Sequence, residues 1–87
     1  MTTNTNDNQP VKQFRSINGI SASIWKRKTK EGEVYYTASI DRSYKDKDEK
    51  WQRTSNFRLD ELNIVRRLVI KAEAFIDDLM REGAATE

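Results

Sequence analysis

The sequence predicts an α+β domain: three to four antiparallel strands followed by one long C-terminal amphipathic helix. Three observations carry this. Two segments alternate apolar and polar residues, a polar Gly-containing stretch separates them, and a three-four-spaced apolar stripe runs through the last third of the chain.

A short first strand is expected over residues 11–17, before the Asn18-Gly19 turn signal. Ile20, Ser21, Ala22, Ser23 and Ile24 have the period-two pattern of a half-buried strand, and residues 34–40 repeat it. Residues 28–32 between them suit a hairpin loop. Centring the turn on Lys30 pairs Ile20 with Ile40, Ala22 with Ala38 and Ile24 with Tyr36 on one face. The other face then pairs Ser21 with Ser39, Ser23 with Thr37, and Trp25 with Tyr35.

A further strand is expected over residues 50–57, after the charged loop of residues 45–49. Two registers compete. Asp41 opposite Arg53 is a favourable charge pair and puts Trp51, Arg53 and Phe57 on the face of Trp25 and Tyr35. A shift by one sets Arg42 against Arg53 but buries Trp51 and Phe57. The first is preferred for Trp51, while Phe57 is left free to turn inward where the strand ends.

The helix is expected from Glu61 to Arg81, roughly 30 Å at about 1.5 Å per residue. Leu62, Val65, Val69, Ala72, Ile76 and Leu79 form its core stripe. Asp60 suits the N-cap, Leu59 and Ile64 a hydrophobic staple, and Gly83 a C-terminal stop. Ile64, Leu68 and Phe75 make a second stripe beside the first. With Leu79, they are the expected interface of a homodimer; the alternative is that a fourth strand or a curved sheet covers them.

The chain has 87 residues, the length of one domain. Residues 1–10 are mostly Thr, Asn, Asp and Gln and are expected to be a disordered tail. Residues 11–83 form the domain, and residues 84–87 a disordered end. There is no Cys or His. That removes thiol nucleophiles, imidazole bases, disulfides and the common zinc sites. The three glycines fit no phosphate-binding loop. Asp46, Asp48 and Glu49, interleaved with Lys45, Lys47 and Lys50, read as a solvated hairpin tip rather than a metal site. Asp77 and Asp78 read as exposed helix carboxylates. The expectation is a chain that is not an enzyme, with no catalytic residues, metal, cofactor or small-molecule substrate. No apolar run approaches the ~20 residues of a membrane span, and no secretory signal is legible, so a cytoplasmic location is expected.

Net charge is +2, but it is unevenly spread. Residues 11–58 hold twelve Lys and Arg against six Asp and Glu, whereas residues 59–82 hold four against six. A basic sheet suggests a polyanion partner, although a merely solvated face has the same composition. Trp25, Lys26, Arg27, Lys28, Lys30, Tyr35, Trp51 and Arg53 are the expected nucleic-acid contacts. Aromatic rings would stack bases while cations follow phosphates, which favours single-stranded DNA.

The residues Gly32-Glu-Val-Tyr-Tyr-Thr-Ala-Ser-Ile-Asp-Arg-Ser-Tyr44 resemble the second strand of the single-stranded-DNA-binding transcriptional coactivator family, that of positive cofactor four. Phe57-Arg-Leu-Asp-Glu-Leu62 is similar to that family's approach to its helix. The likeness runs from Phe14 to Ile76 and is one of pattern, without a short diagnostic motif. It implies a homodimer joined through its helices, with a continuous DNA-binding sheet surface. The family's contacts would fall on Trp25, Arg27, Tyr35, Trp51 and Arg53. A second resemblance is to the arm-binding domains of tyrosine recombinases, three strands and a helix with a Ser-x-Phe ending, here Ser55, Asn56 and Phe57. It implies a sheet in the major groove of duplex DNA. A third reading makes the chain a protein–protein adaptor docking through the broad helix face.

Overall fold

A computed structural model of the chain describes residues 9–85. Strands β1 (Lys12–Arg15), β2 (Ile20–Lys28), β3 (Val34–Lys45) and β4 (Trp51–Thr54) form one antiparallel sheet in that order. A helix, α1 (Leu62–Ala85), follows. The architecture is the expected α+β arrangement, with the short first strand present as the fourth member of the sheet. Residues 1–8 of the expected tail and residues 86–87 of the expected disordered end lie outside the described residues. No helix among the described residues is long and apolar enough to cross a membrane.

The two long hairpins close with the same three-residue turn. In the first, the Thr29 amide donates to the Glu33 carbonyl at 2.9 Å and the Gly32 amide to the Thr29 carbonyl at 3.0 Å. In the second, the Asp46 amide donates to the Lys50 carbonyl and the Glu49 amide to the Asp46 carbonyl, both at 2.9 Å. This is a type I turn followed by one left-handed residue. Gly32 fills that place at φ 91° without cost, whereas Glu49 fills it at φ 62° with a side chain that disfavours it.

The first turn centres on Glu31, and this moves the register. Ile20 pairs with Arg42, Ala22 with Ile40, Ile24 with Ala38, Trp25 with Thr37 and Arg27 with Tyr35. Each expected partner is therefore displaced by two residues. Because two is the period of the strand, every residue keeps the face assigned to it. The same holds for β4: Ser43, not Asp41, stands opposite Arg53, yet Arg53 Nη1 still reaches Asp41 Oδ2 diagonally at 3.6 Å. Trp51 and Arg53 share the face of Trp25 and Tyr35. β4 ends at Thr54, and Phe57 beyond it turns in against the core.

The helix packs on the other face, against β1, β2 and β3. Ile20, Ala22 and Ile24 from β2 are fully buried, and Ile64, Leu68 and Ala72 of α1 are buried as well. Phe14 meets Phe75 edge to face, with ring centroids 6.0 Å apart. This corrects the assignment of the helix faces. Ile64 and Leu68, expected at a dimer interface, lie in the chain's own core, while Leu62 and Val69, expected in the core, are exposed. Phe75 and Leu79 are half-buried.

The helix start also differs. A 3-10 turn, Leu59–Glu61, precedes α1, and Glu61 rather than Asp60 serves its open end: Glu61 Oε1 accepts the Arg58 amide at 2.9 Å. Leu59 is 86% exposed and makes no staple, its place against the core being taken by Phe57. Nor does Gly83 end the helix, which continues to Ala85. A glycine costs about 1 kcal/mol in a helix but does not forbid it.

Candidate nucleic-acid interface

Strand alternation sends one set of side chains away from the helix. They are Gln13 and Arg15 from β1, Ser21, Ser23, Trp25 and Arg27 from β2, and Trp51 and Arg53 from β4. β3 contributes Tyr35, Thr37, Ser39, Asp41, Ser43 and Lys45. The middle of this face is floored by small hydroxyl residues. Its cations are Arg15, Arg27, Lys45 and Arg53, and its single acid, Asp41, is paired to Arg53.

Each tryptophan has a cation beside its ring. The Arg27 guanidinium lies 5.3 Å from the Trp25 ring centroid, and Lys45 Nζ lies 5.5 Å from that of Trp51. The Trp25 indole N–H donates to Ser39 Oγ at 3.1 Å, which lays the ring across β3 over the floor of the face. Trp51 is 68% exposed. Tyr35 stands opposite Arg27 and is also exposed. At the next row inward, Gln13 Nε2 donates to Ser23 Oγ at 3.1 Å.

A cleft of about 360 Å³ opens at the other end of the face, lined by Gln13, Arg15, Ser16, Gly19, Ser21, Ser43, Trp51 and Arg53 among others. Its wall is the 3-10 turn Ile17–Gly19, in which Asn18 and Gly19 both have positive φ. The turn passes so close to β3 that a Cβ on Gly19 would lie 2.5 Å from the Ser43 carbonyl oxygen.

The structure thus brings together five of the eight expected contacts: Trp25, Arg27, Tyr35, Trp51 and Arg53. It separates the other three. Lys26 and Lys28 alternate to the helix side of β2, and Lys30 sits at the hairpin tip. A basic run within a strand cannot present consecutive residues to one ligand. The sequence reading missed Arg15, Ser43 and Lys45. Arg15 and Ser43 reach the cleft only because the 3-10 turn folds over the end of β3; Lys45, expected in the charged loop, is the last residue of β3.

The carboxylate group at the second hairpin is occupied with its own backbone. Asp46 Oδ1 accepts the amides of Asp48 at 2.9 Å and Lys50 at 3.0 Å, and Oδ2 accepts Gln52 Nε2 at 2.9 Å. The Lys50 amide first, then Gln52 and Asp48, hold its pKa below the ordinary value.

No protein-family model matches the chain, nor does any curated protein or solved structure.

Proposed function

We propose that the chain is a nucleic-acid-binding module that takes single-stranded nucleic acid, DNA in the first instance, on the outer sheet face without sequence specificity. One observation supports this above the rest. Two tryptophans, each with a cation beside its ring, lie on one solvent-facing sheet surface with hydroxyl residues between them. Bases stack on aromatic rings whatever their identity, and arginine and lysine hold the phosphates. The reading is also what the coactivator resemblance implies.

Duplex DNA fits this face less well. A four-stranded sheet is about 14 Å across between its outer strands at about 4.8 Å per step. The major groove is about 12 Å wide and admits a two-stranded ribbon. Stacking on Trp51 or Trp25 also requires bases that are already unstacked.

Fluorescence anisotropy with an oligothymidine and a duplex of equal length tests the reading. The single strand should bind more tightly, and Trp25→Ala should weaken it by about tenfold, one stacked base. With four cations on the face, the logarithm of affinity should fall with that of salt at a slope of about −3. No binding to either nucleic acid at low salt ends this reading, and a duplex preference would favour the recombinase-like one.

The protein acts, in this proposal, as a homodimer joined through α1. Leu62, Val69 and Met80 are exposed, with Val65 and Ile76 half-buried beside them, in one stripe next to the core residues. The stripe is self-complementary. An antiparallel copy centred near residue 71 sets Leu62 against Met80 and Val65 against Ile76, in both directions. Light scattering that returns a monomer at high concentration would remove the dimer. This self-pairing is favoured over docking of a different protein because Leu62 and Val65 meet the apolar Met80 and Ile76 when the stripe is laid against its own reverse.

A further inference from the structure

The outer face has two different ends. At one, Trp25, Arg27 and Tyr35 form an open platform. At the other, Trp51 stands at a cleft whose other walls carry Arg15 and Arg53. Along β3 the row of Trp25 is that of Thr37, and the row of Trp51 is that of Lys45. Eight residues separate those rows, about 26 Å at ~3.3 Å per residue. Between them the β3 side chains on this face are Ser39, Asp41 and Ser43, none of which rises to block a strand.

We infer that a single strand is held at two separated points, with the cleft as the second: a base stacks on Trp51 and its phosphate lies between the guanidinium groups of Arg15 and Arg53. The inference rests on the nucleic-acid reading above and deepens it. Arg15 suits the role because its one side-chain hydrogen bond is to the neutral Gln13, Nη2 to Oε1 at 3.1 Å, and no carboxylate pairs with it among the described residues. Its charge is unspent. Arg53 is half-engaged by Asp41, leaving donors of its fork available. The cleft is also built rigidly: Gly19 is packed so tightly against the Ser43 carbonyl that no side chain could stand there. A phosphate entering it would meet two forks of fixed origin rather than mobile lysines.

Along β3 the rows of Arg15 and Arg53, those of Asp41 and Ser43, lie about 13–20 Å from the row of Trp25, and that of Trp51 about 26 Å away, so binding should depend on length. A strand of about four nucleotides falls short of the span from Trp25 to Trp51, while one of about six or more covers it and gains the stacked base beside the arginine pair intramolecularly. The anisotropy test uses oligothymidines from about three to about twelve nucleotides, on wild type, Arg15→Ala, Trp51→Ala and Trp25→Ala. For wild type, affinity should rise at least about tenfold between the tetramer and the octamer and then flatten. Arg15→Ala and Trp51→Ala should lose that rise while still binding the tetramer through the Trp25 end. Arg15→Lys should recover only part of it, because a point charge replaces the fork. Octamer binding should also change the emission of Trp51 in a Trp25→Phe background. Arg15 and Trp51 are exposed, and unchanged melting temperatures would exclude unfolding as the cause. A length step that persists in Arg15→Ala and Trp51→Ala overturns the inference and leaves the single-strand reading standing. No wild-type binding at any length removes both.

Discussion

The indole N–H of Trp25 is held by Ser39 Oγ on the neighbouring strand, at 3.1 Å, diagonally across a pair in which Thr37 is the direct opposite. The bond fixes the ring as a plate lying along the sheet, with Arg27 at its side. An aromatic residue that must be ordered before it stacks would pay rotamer entropy on binding; one already held does not. Ser39→Ala removes the acceptor and nothing else of bulk. Because the pair is exposed, the stability loss should stay below about 1 kcal/mol. Oligothymidine affinity should drop a few-fold, and Trp25 emission, read in a Trp51→Phe background, should broaden. Unchanged affinity would mean the orientation of the ring is irrelevant to binding.

The parity of the strands was legible, because alternation in residues 20–24 and 34–40 needs no knowledge of partners. The register was not. Moving β3 by two residues leaves every side chain on its face, so a pairing that satisfies both faces does not single itself out. The deciding feature was the turn, where Gly32 supplies the left-handed residue and thereby places the centre at Glu31. The helix had a similar degeneracy. Two apolar stripes lay side by side, and their composition did not say which one faced the sheet. Ala72 and Phe75 belong to the side that won, the first small enough for close approach and the second matched by Phe14 across the gap. The cleft was the least legible part. Gln13, Arg15, Ser43 and Arg53 are distant in sequence, and only the Asn18-Gly19 turn hinted that something folds over there.

The shared turn geometry makes opposite predictions for its two left-handed positions. Glu49→Gly should stabilise by about 0.5–1 kcal/mol, since the relief of a left-handed glutamate exceeds the added freedom of the unfolded chain. Gly32→Ala should destabilise by about 1 kcal/mol for purely conformational reasons, because nothing lies within 4 Å of the added Cβ. Urea denaturation of the two variants checks both signs.

Asp46 should contribute to acid sensitivity. Its folded pKa is depressed, chiefly by the Lys50 amide and then by Gln52 and Asp48. The linked stabilisation is present above the unfolded pKa of about 3.9 and is lost as pH falls through the lower folded value. Asp46→Asn keeps an acceptor oxygen but no longer titrates. The stability advantage of wild type over this variant should therefore shrink as pH is lowered from about 5 towards 2. An advantage that stays constant across that range would mean the carboxylate charge is not what the turn uses.

Glu61 joins the start of the helix to the sheet. Its Oε1 accepts the Arg58 amide, and its Oε2 lies 3.4 Å from Arg42 Nε, a buried nitrogen with no hydrogen-bond partner. Glu61→Ala removes the carboxylate charge beside that nitrogen and strands the Arg58 amide, and should cost about 2–3 kcal/mol. Glu61→Gln keeps the acceptor for Arg58 while losing the charge, and should cost about half as much. Equal losses in the two variants would place the whole effect on Arg42.

Leu68 and Val69 are neighbours on α1 with opposite fates, 2% and 46% exposed. Truncating Leu68 to Ala opens a cavity against Ile20 and Ala22 and should cost about 2–5 kcal/mol, with no dependence on protein concentration. Val69→Ala should cost under about 1 kcal/mol in a dilute protomer, where its side chain meets water. If α1 pairs with a second copy, a charge at this position should act through assembly instead. Val69→Glu would then lower the molecular mass seen by light scattering and remove the concentration dependence of the wild-type melting temperature, while leaving the spectrum of the folded sheet intact. A Val69→Glu protein that scatters and melts like wild type would show that this stripe joins no second copy.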